Sequence, residues 1–472
     1  MMDLIMQEIA GVYSSMVLRD MHDIIKLYEA YEGHLYWDND GELDYTPTKK
    51  KNNYIKKLIK EESRFMFGKA PDFNVLTESE NDEIQDFLNK TLKNNLFKDK
   101  LIKGARDCFI GKRVAIKLNI IKDEKISINF VPSLEFIYEA DEEDLSELKK
   151  IIFFYTTKDD DNKALQRIWK QKYEMINGKC YLTEGVYDGY GMLIESHYDN
   201  VDTKLNFIPA YVIMNDDLSS GLGESDITDL IDNQIQINRL ASEDVDTLLK
   251  GMNEVIYGTD LSDKSVAGLK LAPGVFWDIQ TDAISNDSGK QATVGTLSKT
   301  FSYDTRIENA ISRMKTEMYE TLSIPEVDTK SLQGVLSGKA MKSMYWGLIN
   351  RIEEKMCQWQ PALEWMCYAI IEIAKTYNLL HNNEDYEIEV INNYPIPEDV
   401  EDEKLSDLNQ VAQEVMSRAT FYKKWINNDN DEAMNELKQI ALEKRMLEES
   451  YDIVDEELDE EDDEDLNEEG DN

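Results

Sequence analysis

The spacing of apolar residues along this chain changes period twice, and that switch limits the fold more than any other feature. In Asn53–Phe67 the apolar Tyr54, Ile55, Leu58, Ile59, Phe65 and Met66 recur at helical intervals, and residues 1–107 read as helical. From 113 to 213 the period drops to two. Val114, Ile116, Leu118 and Ile120 alternate with polar residues, as on a half-buried strand. Further strands are expected at Ile126–Val131, Ile151–Thr156, Arg167–Met175 and Cys180–Tyr187. Asn177-Gly178 supplies a hairpin turn between the last two, because both residues tolerate positive φ. The fold class that follows is α+β, with an antiparallel, meander-like layer set into a mostly helical chain.

Helical spacing resumes at Ser225, a capping residue, with Asp226, Asp229 and Asp232 near the positive end of the helix dipole. Ile227, Leu230, Ile231, Ala241, Val245, Leu248 and Leu249 carry the pattern to Gly251. A helix of about 25 residues spans roughly 37 Å. Residues 252–301 break it with Gly258, Gly268, Pro273, Gly274, Gly289 and Gly295, while Glu254–Tyr257 and Val275–Ile279 read as short strands. A second helix, marked by Ile307, Ile311, Met314, Met318 and Leu322, stops before Pro325. Helix, compact excursion, helix makes a projecting hairpin with a small tip. Pro325–Gly338 forms another short loop, and Lys339–Leu380 is the longest helical stretch. Pro361 lies inside it, and a kink is expected there because proline lacks the donor and crowds the preceding turn. A strand at Tyr386–Ile391 and helices at about 400–427 and 430–449 complete the order.

With 472 residues, of which 42% are hydrophobic, the chain holds more than one packed unit. Its formal charge is −43, from 95 acidic and 52 basic residues. Sixteen of the acids lie in 448–472, where there is no Lys or Arg, so the rest of the chain carries −27. Such a tail cannot bury enough apolar surface to offset its ordering entropy and is expected to be disordered. The remaining negative charge disfavours a tight, salt-sensitive grip on nucleic acid but permits contact with DNA that slides. Lys49, Lys50, Lys51, Lys56, Lys57 and Lys60 form either a solvated helix face, the plainer reading, or a small basic patch.

Chemistry-bearing patterns are few. Cys108, Cys180, Cys357 and Cys367 form no CxxC pair, and the last two fall in a helical apolar pattern that suggests buried thiols. His22, His34, His197 and His381 are scattered, and neither a phosphate loop nor a GxSxG elbow occurs. Gly221-Leu222-Gly223 is more simply a turn before the Ser225 cap than a phosphate site. No catalytic residue, metal site or cofactor is expected. The opening MMDLIMQEIAG lacks a basic region, and no run of 18 apolar residues occurs, so neither a secretory signal nor a membrane partner is expected.

Three segments bear a resemblance. Asn52–Pro71 reads NNYIKKLIKEESRFMFGKAP, residues 207–245 read FIPAYVIMNDDLSSGLGESDITDLIDNQIQINRLASEDV, and Ser337–Met341 reads SGKAM. In this order and spacing the chain resembles the portal proteins of tailed double-stranded-DNA bacteriophages, in particular the siphophage-type group. The resemblance implies a portal fold: a mixed α/β wing at 1–222, stem helices at 223–250 and 302–324, and a small β/loop clip at 251–301. It further implies a tunnel loop at 325–338, a long kinked helix with return to the wing at 339–397, a helical crown at 398–449 and the acidic tail at 450–472. It also implies a homo-oligomeric ring, a dodecamer in the family's manner, at one vertex of the virion capsid.

Duplex DNA would pass through that ring without sequence specificity, inward during packaging and outward during ejection. Expected partners are the terminase large subunit, head-completion or adaptor proteins, and the major capsid and scaffold proteins. The channel-loop candidates are Lys330, Ser331, Gln333, Gly334, Ser337, Gly338 and Lys339. For the two lysines, plain solvation and transient phosphate contact both stay open. The rival class is an acidic scaffold or adaptor that never encloses DNA, which has no need of a helix–tip–helix hairpin.

Overall fold

Helices form in the N-terminal part where apolar spacing called for them: α1 (Val12–Glu32), α2 (Tyr54–Phe67), then, beyond a strand β1 (Asp72–Thr77), α3 (Glu83–Asn94) and α4 (Phe97–Gly111). The computed structural model describes residues 12–37, 46–77, 83–121, 125–141, 147–215, 223–252, 255–263, 279–282, 287, 289–297, 304–327, 338–382, 384–395, 400–413, 415–425, 435–436, 438–443 and 445. The chain divides into two units, Met1–Asp328 with Met344–Pro395, and Thr329–Ser343 with Ile396–Asn472. No helix among the described residues is long and apolar enough to cross a membrane.

β1 corrects the reading of 1–107 as all helical. Its antiparallel partner lies some 300 positions away in sequence, with Asp72 opposite Ile391 and Thr77 opposite Tyr386. Pairing at that distance leaves no local signal.

The period-two region holds the expected strands, but in two sheets rather than one layer. β2 (Arg113–Ile121), β3 (Lys125–Pro132) and β9 (Ala210–Met214) form a three-stranded sheet in the order β3-β2-β9. β4 (Phe136–Ala140), β5 (Leu148–Lys158), β6 (Arg167–Ile176), β7 (Lys179–Tyr187) and β8 (Leu193–Asp202) follow sequence order in the other. Pro132, without an N–H, ends β3 and leads into a 3₁₀ turn at Ser133–Glu135, after which the chain enters the second sheet. The turn between β6 and β7 is as expected: Asn177 has φ 52° and Gly178 φ 74°. β8 was not legible because every one of its residues is exposed, so nothing alternates.

The largest buried side chains mark two cores. One gathers around Trp359, which meets Phe67 edge-on at 5.1 Å and lies 6.1 Å from Phe130. The other sets Val17 and Met21 of α1 against Ile137, Ile152, Phe154 and Ile168 of the five-stranded sheet.

The C-terminal half follows with α5 (Ile231–Met252), β10 (Val255–Thr259), β11 (Thr293–Leu297), α6 (Asp304–Thr321), α7 (Gly338–Met344), α8 (Trp346–Thr376) and β12 (Tyr386–Ile391). Two expectations change. Helix α8 continues through Pro361, and the stretch expected to be a single helix from Lys339 is divided at Tyr345, whose φ −91° and ψ 6° leave the helical region. The Tyr345 ring there stacks on Phe65 at 5.4 Å. Cys367 is buried, but Cys357 is exposed, being on the same outer face of α8 as Glu353 and Gln360.

In the second unit the expected helix at 400–427 is two helices, α9 (Val400–Ala412) and α10 (Arg418–Trp425). Ser417 caps α10 by accepting the Thr420 N–H, and Asp407 ties the pair by accepting from Lys424 at 2.8 Å and the Trp425 indole at 2.9 Å. The acidic tail at 450–472 lies outside the described residues.

Candidate functional site

α5 and α6 pack on one another and are joined through the antiparallel pair β10 and β11, with Val255 opposite Leu297 and Thr259 opposite Thr293. The expected hairpin is present. Its described strand pair is β10 with β11, and the expected strand Val275–Ile279 lies, but for Ile279, outside the described residues. Gly295 hid β11 from sequence. It stands opposite Tyr257, and a Cβ there would come within 2.7 Å of that ring.

Among the described residues of the hairpin, three cations have acidic partners and Arg306 is exposed without an ion pair. Arg239 meets Glu243 at 3.1 Å and Arg313 meets Glu317 at 3.7 Å, each one helical turn on. Lys315 pairs with Glu326. Asp229, Asp232, Glu308 and Glu320 remain exposed, so the hairpin presents an acidic surface. Leu248 and Leu249, expected on the apolar face of α5, are exposed near its far end.

Beside the buried Ile237 and Ala241, α5 also buries a polar face. Residues 46–53 run extended along the helix, and alternate backbone N–H groups donate to side chains spaced four apart. Thr48 donates to Asp246 (3.1 Å), Lys50 to Ser242 (2.9 Å), Asn52 to Asn238 (2.9 Å) and Tyr54 to Gln234 (2.8 Å). Gln234 returns its amide to the Asn52 carbonyl at 2.6 Å. The match is geometric. Two residues of extended chain advance about 6.6 Å and four residues of α-helix about 6.0 Å, so the rungs stay nearly in step. Gln234 and Asn238 are 1% exposed, so each bond closes off a group that water no longer reaches.

This strap places Lys49, Lys50 and Lys51 before the helix rather than on it, and all three are exposed. Lys56 pairs with Glu32 and Lys57 with Glu61, which favours the solvated reading of the lysine cluster. The signal missed in sequence was the polar quartet at intervals of four, Gln234, Asn238, Ser242 and Asp246, which runs beside the apolar positions of α5.

At the root of α5 four charges meet. Arg351, on α8, reaches Glu62 of α2 at 2.9 Å and Asp226 at 2.6 Å. Lys355, one turn further on, contacts Asp226 at 2.6 Å, Asn215 at 2.8 Å and Glu62 at 3.4 Å. Lys355 also lies 3.9 Å from the centre of the Phe109 ring. Burial, with repulsion from Asp226, holds the Glu62 carboxyl above the ordinary glutamate range despite Lys355 and Arg351 beside it. Asp226 therefore serves the root cluster rather than the helix dipole. Ser225 is also more than a cap: its hydroxyl accepts from Ile227 N–H and donates to the carbonyls of Phe109 and Ile110 at the end of α4. Gly223 closes this turn with φ 71°, and a Cβ on it would lie 2.3 Å from the Lys112 carbonyl.

Of the channel-loop residues expected from sequence, Lys330, Ser331, Gln333, Gly334 and Ser337 lie outside the described residues. Gly338 and Lys339 begin α7. Among the described residues no group of three or more His, Cys, Asp and Glu is placed to hold a metal ion.

Fold and site together define a mixed α+β protein whose most elaborated feature is a firmly rooted acidic hairpin. The family model described as phage portal protein, SPP1 Gp6-like, matches residues 14–450. The chain belongs to that family. Membership makes it a structural component of the phage capsid, from a family that assembles as homo-oligomers for the passage of DNA. No curated protein matches the chain.

Proposed function

We propose that this chain is one subunit of a ring of twelve at a single capsid vertex, through which duplex DNA enters during packaging and leaves during ejection. In this reading α5 and α6 are the stem, the segment around β10 and β11 is the clip, and residues 1–222 with β12 form the wing. The helices after 398 are the crown. The clip is the docking place for the terminase large subunit and then for head-completion proteins, and the outer body meets capsid and scaffold proteins.

The observation that carries the reading is the charge state of the hairpin. α5 has 22 residues, about 33 Å, close to the ~34 Å of one turn of B-DNA. DNA bears about one negative charge per 1.7 Å, and a wall of free arginines would hold it by counterion release. Here Arg239 and Arg313 are answered by Glu243 and Glu317, and Arg306 is exposed beside Glu308 with Asp229, Asp232 and Glu320 elsewhere on the hairpin. Acids thus outnumber unanswered arginines among the described residues, and a ring of such hairpins repels the duplex and lets it slide. Weak phosphate contact is left to the 325–338 loop and Lys339, with Lys330 and Lys339 as the cations and Ser331, Gln333, Gly334, Ser337 and Gly338 as their small or polar setting.

Particle averages of the purified chain are expected to show a closed ring with an axial hole. The double variant Lys330→Ala, Lys339→Ala should form that ring and package or retain less DNA. Irregular assemblies or monomers under all assembly conditions would remove the channel reading. Normal packaging and retention by the double variant would remove the loop's role alone.

A further inference from the structure

Strand β9 is hydrogen-bonded on one side only, since it ends the order β3-β2-β9. Two bonds set its phase: Leu118 N–H donates to the Pro209 carbonyl at 2.9 Å, and Asn215 N–H to the Lys112 carbonyl at 2.8 Å. Residues 209, 211, 213 and 215 therefore face β2, and residues 210, 212 and 214 turn their backbone groups outward. The Val212 N–H and C=O have no hydrogen-bond partner among the described residues. Unpaired edge groups of this kind are the usual template for an added strand.

A groove of about 660 Å³ is lined by this edge. Aromatic rings form much of its lining. Trp365 packs on Tyr211 at 5.3 Å and meets Phe207 edge-on at 6.3 Å. Tyr138 and Ala140 of β4, the edge strand of the other sheet, also line it. Among the described residues the lining includes no Lys, Arg or His, and its one charged residue is Glu147.

Charge selects the occupant. The extended basic stretch of a second copy, 46–53, is already held on α5 by the rungs described above, so the cation that Glu147 calls for comes from another chain. We propose that the groove docks an extended, basic segment of a different protein, which adds to β9 as a fourth strand. Alternate apolar side chains of that segment enter between Tyr138 and Trp365, and a cation reaches Glu147. This surface goes beyond the channel reading and does not depend on it.

The test uses the full-length assembled protein and three labelled octapeptides as probes, followed by fluorescence anisotropy. They are an alternating Lys-Val peptide, an alternating Glu-Val peptide, and an alternating Lys-Pro peptide that has the same charge but cannot add as a strand. The Lys-Val peptide is expected to bind saturably, and the other two at least tenfold more weakly. Val212→Pro removes an outward donor from an edge strand, where proline is tolerated, and Glu147→Lys reverses the rim charge. Each should weaken Lys-Val binding about tenfold or more, with ring formation kept. Equal binding of the Lys-Pro peptide would reduce the effect to bulk charge and overturn the proposal. Unchanged binding by both variants would do the same. Binding to the dissociated subunit but not to the ring would show that a second copy fills the groove, and would also overturn it.

Discussion

Helix α5 is held by polar groups in two places, and the two attachments obey different rules. At the root, Glu62, Asp226, Arg351 and Lys355 exchange charge-assisted bonds in a largely buried cluster. Along the shaft, four rungs join helix side chains to a strap backbone, and only Asp246 among them is ionisable. Removing an ion from water costs several kcal/mol, and partners offset that cost only while the set is complete. A neutral rung exchanges a bond to water for a bond to protein and nets about 1 kcal/mol. The root is therefore all-or-none, and the shaft is graded. One fixes where the hairpin leaves the body; the other covers its polar face in steps that open one at a time.

Lys355→Met is expected to give the largest loss, about 3–5 kcal/mol at neutral pH, because it leaves Glu62 and Asp226 facing each other with one cation. The pH dependence has a definite sign. Glu62 is already held above its ordinary range by burial, and removal of a cation raises it further. A carboxyl raised in the folded state contributes stability that is full below its unfolded value and is lost as pH rises through the folded value. The deficit of Lys355→Met in thermal unfolding should therefore be smaller near pH 5 than near pH 8. Equal deficits at both would mean that Glu62 does not take up the strain.

How much of this was legible in sequence follows the same division between local and distant causes. β12 was read to the residue, and the hairpin and the Asn177-Gly178 turn were also read, because alternation, helical spacing and turn chemistry are local. β1 and the root cluster join residues hundreds of positions apart, and no window of sequence contains both ends. The long helical stretch from Lys339 is divided at Tyr345, where a stack on Phe65 takes part. Membership in the portal family came from motif order, in the segments at 52–71, 207–245 and 337–341, and not from composition. The strap was the recoverable omission. A quartet of Gln234, Asn238, Ser242 and Asp246 on one helical face states that something other than a core covers it.

If the shaft is graded, damage to one rung should be local. Asn238→Ala removes the acceptor of both the Asn52 N–H and the Gln234 amide, and a loss of about 1–2 kcal/mol is expected. Tryptic cleavage after Lys49, Lys50 and Lys51 should accelerate well before the molecule unfolds, since the strap then opens without the body. Lys355→Met, by contrast, should speed cleavage there only in proportion to global unfolding. Identical cleavage patterns for the two variants would erase the distinction between root and shaft.

The smallest effect belongs to the rung that resembles the root. Asp246 accepts the Thr48 N–H with both carboxylate oxygens, at 3.1 Å each, and lies at the end of the strap farthest from Glu62. Asp246→Asn keeps one acceptor oxygen and removes the charge, so the contact changes in strength but not in kind. A loss of about 0.5 kcal/mol or less is expected, below that of Asn238→Ala. The decisive readout is salt. A rung that works as a hydrogen bond should lose the same amount at low and high ionic strength, whereas a charge acting at a distance would fade as the Debye length shortens. A deficit that vanishes in salt would move Asp246 out of the ladder and make it part of the acidic surface that the hairpin already presents.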